Sequence, residues 1–152
     1  MRVDYLDRLE VSASALAAYR QRMNAIAENL ANAQTTRTPE GGPYRRQEVV
    51  FEAGAVPAAG DAGGGRGAVE SALSGPRSVR ARVVADTTTP FTEIYDPGHP
   101  DADGNGIVRY PNVNPVTEMV NLVLAARAYE ANVAALQAEK RMQELSLGIG
   151  RA

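Results

Sequence analysis

The 152-residue chain has no cysteine and no tryptophan, and aromatic residues make up only 5% of it. Without cysteine there can be no disulfide, thiol nucleophile or thiolate metal site. The same absence suits a chain that crosses an oxidising space before it folds. An excess of charge of either sign is also missing: the net charge is −2 and the pI is near 5.5. That balance gives no electrostatic case for nucleic acid or lipid as a partner. No run approaches the ~18–20 apolar residues of a membrane-spanning helix. Asp4, Asp7 and Glu10 interrupt the first segment where a secretory signal needs an unbroken apolar run, so no cleaved signal is expected. Alanine supplies much of the 44% hydrophobic content. Because alanine buries little area, the large hydrophobes must be concentrated wherever the chain folds.

They are concentrated at the two ends. Leu9, Ser12, Leu16, Tyr19, Met23, Ile26, Leu30 and Ala33 follow one another at alternating steps of three and four. That spacing predicts a helix with a narrow apolar seam, over Asp7 to Gln34. Thr35 and Thr36 disfavour its continuation, and Pro39 ends it. Near the other end, Asn114 is placed to cap a helix whose first position is Pro115, with Glu118 beside the positive end of the helix dipole. Met119, Leu122, Ala126, Tyr129, Val133 and Leu136 repeat the three-four spacing, and Val120, Val123 and Leu124 widen the stripe. Gly148 or Gly150 ends this second helix.

Between the helices, "YRRQEVVFE" (Tyr44 to Glu52) and "SVRARVVAD" (Ser78 to Asp86) read as strands. "FTEIYD" and "GIVRYP" are shorter candidates joined by the turn "PGHPDADGNG". The Gly/Ala-rich tract Glu52 to Pro76 has few large side chains to offset the entropy of ordering it, so a mobile insert is expected there. The expected fold is mainly α. Its N- and C-terminal helices pair as an antiparallel, coiled-coil-like hairpin, and the middle is a small irregular β-rich region. The expected divisions are 1–36, 37–112 and 113–152. One helix covers only one stripe of another, which leaves Val120, Val123 and Leu124 to neighbouring subunits.

Catalytic motifs find little support. Asp101, Asp103, Asn105 and Gly106 match positions one, three, five and six of a calcium loop, but position twelve is Asn112 and the flanks read as strand. A hairpin turn accounts for them better. His99, the only histidine, has no nucleophile or acid pair beside it. "GDAGGGRGA" lacks the strand, the Lys-Ser/Thr and the helix start of a phosphate loop. "YRR" (Tyr44 to Arg46) reads as a solvated strand end. No enzyme activity, cofactor or metal is expected. Asn24, Asn29, Asn32, Asn121 and Asn132 stand inside helices that asparagine disfavours. They lie either on a solvated face or in hydrogen bonds that fix register.

Two stretches carry a family resemblance. "SASALAAYRQRMNAIAENLANAQT" (Ser12 to Thr35) resembles the N-terminal motif of the bacterial flagellar axial proteins, the rod, hook and hook-associated subunits. Tyr95 to Leu136, with "YDPGHP", "PNV" and "EMVN" in order, is similar to the C-terminal part of the rod members of that family. The short length also resembles the proximal-rod subunits. The resemblance implies a structural subunit, exported unfolded by the flagellar type III apparatus. It would polymerise through its terminal helices into the torque-carrying shaft of the basal body. The implied partners are copies of itself, other rod subunits and the rod-to-membrane-ring junction. By resemblance the helical motif falls on Ser14, Leu16, Asn29, Leu30, Ala31 and Asn32. In the second helix it falls on Met119, Val120, Asn121, Arg127, Tyr129, Asn132 and Val133. A stoichiometric helical-hairpin adaptor and a small calcium-binding module are the competing readings.

Overall fold

The computed structural model describes residues 2–55 and 77–149, with side-chain surroundings over 9–54 and 78–146. Among the described residues, six elements follow in order: α1 (Arg2–Ala31), β1 (Gln47–Ala55), β2 (Arg77–Ala85), β3 (Thr92–Tyr95), β4 (Ile107–Tyr110) and α2 (Pro115–Ile149). β1 pairs with β2, and β3 with β4. Both pairs are antiparallel. The Asp86 N–H donates to the Arg46 carbonyl at one end of β1–β2, and the Ser78 hydroxyl donates to the Gly54 carbonyl near the other. In β3–β4, Thr92 lies opposite Tyr110 and Tyr95 opposite Ile107.

The mainly α expectation is corrected to a mixed fold, with two helices and two small sheets among the described residues. The middle of the chain is not an irregular appendage, because α1 turns part of its inward face onto strands. The Tyr19 ring meets Phe51 of β1 edge-on, with centroids 5.3 Å apart. Ser14 Oγ accepts the Val79 N–H of β2 at 3.0 Å, and Asn29 bonds the Gln47 backbone. Helical periodicity identifies which face is buried but not what buries it, so the seam-on-seam reading did not foresee the strands that share in covering α1. The strand β1 also runs through Glu52–Ala55, the first four residues of the expected mobile tract. The rest of that tract, 56–76, lies outside the described residues.

The chain divides into two compact units. The first comprises Met1–Arg20, Phe51–Ala81 and Arg127–Ala152; the Tyr19–Phe51 and Ser14–Val79 contacts belong to it. The second comprises Gln21–Val50 and Arg82–Ala126. Its buried apolar side chains include Ala25, Ile26, Val108 and Ala125, with Asn29, Asn112 and Glu118 buried among the polar ones.

Local chemistry explains how the elements end in the second unit. Asn114 caps α2 as its sequence implies: Oδ1 accepts the N–H groups of Val116 and Thr117 at 3.0 and 3.3 Å. Asn32 closes α1, donating through Nδ2 to the Glu28 carbonyl and accepting the Thr35 hydroxyl. In the β3–β4 loop, Asp103 Oδ1 accepts the N–H groups of Asn105 and Ile107 at 2.8 and 2.9 Å. Those bonds hold its carboxyl below the ordinary value, the Ile107 N–H contributing most. Asp101 is engaged elsewhere, accepting the Thr36 hydroxyl at 2.8 Å. Gly106 completes the turn at φ 75°, where a Cβ would sit 3.0 Å from the Tyr95 ring and 3.1 Å from Pro97.

Candidate assembly surface

The first turns of α2 have two unlike sides. Val116, Met119, Val120, Val123 and Leu124 are between 51% and 70% exposed. At ~100° per residue they occupy an arc of roughly 140°. Glu118 and Ala125 lie on the opposite side and are buried. Scattered exposed hydrophobes are ordinary, whereas five on one arc of three helical turns form a contiguous patch of the kind that marks an interaction surface.

Behind the patch lies a buried polar cluster. Asn29 is fully buried, and its amide uses its whole hydrogen-bonding capacity. Oδ1 accepts the Gln47 N–H at 2.7 Å and the Tyr44 hydroxyl at 3.0 Å. Nδ2 donates to the Gln47 carbonyl at 2.8 Å and to Glu118 Oε2 at 3.1 Å. Glu118, 1% exposed, also accepts from Arg46 Nε on Oε1 at 2.9 Å. The Arg46 N–H in turn donates to Asn112 Oδ1, and Asn112 Nδ2 reaches the carbonyls of Asp86 and Thr89. Asp86 is held below its ordinary value by the Thr89 hydroxyl and the N–H groups of Thr89 and Thr88. Tyr44 is pushed up, by burial first and then by the negative charges of Glu28 and Glu118. Such a saturated network suits positioning, since every buried polar group has its partner. It ties together the end of α1, the start of β1, the segment before α2 and the first turn of α2.

The residues singled out from the sequence fall as follows. Leu9, Leu16, Tyr19, Met23 and Leu30 are half-buried and Ile26 is buried. In α2, Leu122, Ala126, Tyr129, Val133 and Leu136 are half-buried, while Met119, Val120 and Val123 are exposed. Of the polar positions, Asn29 enters the buried cluster, and Asn32 and Asn132 bond carbonyls of their own helices. Asn121 is half-buried and Arg127 exposed. Sequence reasoning missed Glu118 as a buried hub, and it missed Tyr44, Arg46 and Asn112 as its supports. Arg46 is no solvated strand end, because its guanidinium is the partner of a buried carboxylate. The available signal was Glu118 itself, the one charged residue in the first twelve positions of α2 and in line with Leu122 and Ala125.

A polar hub behind a bare apolar helix face suits a subunit that packs against others. Residues 9–37 match the family described as "Flagella basal body rod protein", and residues 105–149 match "Flagellar basal body rod FlgEFG protein C-terminal". The flagellar basal-body rod protein FlgC of Salmonella typhimurium is 40% identical over 146 residues, covering 96% of this chain and 98% of that one. FlgC of Bacillus subtilis is 38% identical over 157 residues, covering 94% and 96%. FlgC of Aquifex aeolicus is 39% identical over 143 residues, covering 93% and 94%. The chain belongs to the FlgC family of flagellar basal-body rod proteins. It is a structural subunit of the flagellar basal body and assembles with other rod components.

Proposed function

We propose that the exposed arc of α2, Val116 to Leu124, is the face through which this rod subunit packs against neighbouring rod subunits, copies of itself among them. The observation that carries the reading is the exposure of five large apolar side chains on one side of α2. Covering the exposed half of five such side chains contributes roughly 4–8 kcal/mol. Association itself costs about 4–15 kcal/mol in lost freedom. One such face therefore holds a pair only weakly. It suits a lattice in which each subunit meets several neighbours through heterologous, repeating contacts.

The half-buried positions Tyr129, Val133 and Leu136 of α2, with Leu16, Met23 and Leu30 of α1, extend the packing surface of the terminal helices within and between subunits. Asn121, Arg127 and Asn132 supply polar contacts along it. By family resemblance the subunit belongs to the proximal part of the rod, towards the membrane ring. It reaches that place through the flagellar type III apparatus. It acts through its surfaces and performs no catalysis.

The test is a charge on the face. Replacing Val120 and Val123 together by Asp leaves the unfolding transition of the purified chain in place, because both positions are exposed there. In a cell lacking its own copy, the variant fails to enter rods and does not restore motility, because assembly would bury two unpaired charges. Normal rods and swimming would remove α2 from the interface.

A further inference from the structure

The first twelve residues of α2, Pro115 to Ala126, are apolar almost all the way round. Val116, Met119, Val120, Leu122, Val123, Leu124, Ala125 and Ala126 leave only Thr117, Glu118 and Asn121 as polar side chains. Such a segment does not specify its own rotation. Turned by about 100° about its axis, it would bury Met119 and Val123 in place of Ala125, at no loss of apolar area. A single buried charge removes the degeneracy. In the observed rotation Glu118 meets Arg46 Nε on one oxygen and Asn29 Nδ2 on the other, at 2.9 and 3.1 Å. In any other rotation the carboxylate leaves both donors, and Asn29 is fully buried. Burial of an ion pair adds little net stability, but breaking one is costly, and that asymmetry selects one arrangement over its competitors.

We infer that Glu118, clasped by Arg46 and Asn29, sets the rotation of α2 and so decides which side chains form the assembly face. Glu118 is a positioning residue: it lies on the far side of the helix from the face it presents. The inference rests on the proposed packing role of that face. The two can fail separately.

The chain has no cysteine of its own, so single thiols report the rotation directly. V120C and A125C are labelled with a maleimide in the free full-length chain, and the exposed thiol reacts at least about tenfold faster than the buried one. The same pair is then made with Glu118→Met and Arg46→Met together, an apolar replacement that keeps volume. The expected result is unchanged helical circular dichroism, a labelling contrast reduced to under about threefold, and rod incorporation of the cysteine-free double variant lowered at least about tenfold. A contrast that stays at its original value overturns the inference, whatever the rods do. A contrast that collapses while rods assemble normally overturns the packing role of the face, and leaves Glu118 as the residue that sets the rotation of α2. Should the Met pair not fold, Glu118→Gln is read in the same way. It keeps the length but turns an NH2 group towards one of the two donors. Its contrast falls at least about threefold, and an unmoved contrast overturns the inference.

Discussion

Replacing Asn29 by Ala removes an amide that makes four hydrogen bonds. The groups left behind are the Gln47 N–H and carbonyl, the Tyr44 hydroxyl and one oxygen of Glu118. Each buried group without a partner costs about 1–3 kcal/mol. The vacated space admits water to some of them, and Glu118 keeps Arg46, so about two full penalties remain. Alanine returns roughly 0.5 kcal/mol of helix propensity. The net loss is then about 1.5–5.5 kcal/mol, or roughly 3–22 °C in Tm for a chain of this size. Urea unfolding of the full chain, followed by circular dichroism, measures it. The control is Asn24→Ala on the exposed side of the same helix, where a change within about 0.5 kcal/mol is expected. Asn29→Asp sharpens the test. It sets a second carboxylate 3.1 Å from Glu118, a repulsion of about 5 kcal/mol at an effective dielectric of 20. Protonating either carboxylate relieves that repulsion, so the variant should recover part of its loss as the pH is lowered. If Asn29→Ala and Asn24→Ala unfold alike, Asn29 is no hub and the reasoning about the cluster is wrong.

Two further outcomes follow from the second unit. Gly106→Ala sets a Cβ against Tyr95 and Pro97 at a φ that side chains rarely adopt; a loss of about 1–3 kcal/mol is expected from thermal unfolding, against little change for Gly104→Ala in open space. The pH profile of stability has two falling limbs. Asp86 and Asp103 titrate below their ordinary value of 3.8 when folded, so their contribution is present above that pH and is lost as the pH falls through their folded values. Tyr44 titrates above its ordinary value of 10.0, so its contribution is full below pH 10 and is lost as the pH rises through the folded value. Tyr44→Phe flattens the alkaline limb in a series of melts, and an unaltered limb contradicts the assignment.

Much of the architecture was legible because its causes are local. Asn114, Pro115 and Glu118 mark the start of α2 within five residues. The strands announce themselves by alternation, and "DADGNG" forms the turn its Asp, Asn and Gly favour. Val120, Val123 and Leu124 were recognisable as surplus, since a stripe that wide exceeds what one partner covers. The cover of α1 was not legible. Tyr19 could have met a helix as readily as Phe51, and nothing in a three-four repeat distinguishes them. The polar hub was hidden for a related reason. Positions 29, 44, 46, 112 and 118 converge only after folding, and each has an ordinary local role that conceals the shared one. Glu118 read as a partner of the helix dipole, and Arg46 as a solvated strand end.

The central claim is that the outer arc of α2 is covered by a neighbouring subunit in the rod. A V120C or L124C thiol in this cysteine-free chain tests it with one footprint, taken on purified basal bodies and on the free chain. The account predicts that both thiols react at least about tenfold more slowly once assembled. Equal reactivity in the two states would contradict it.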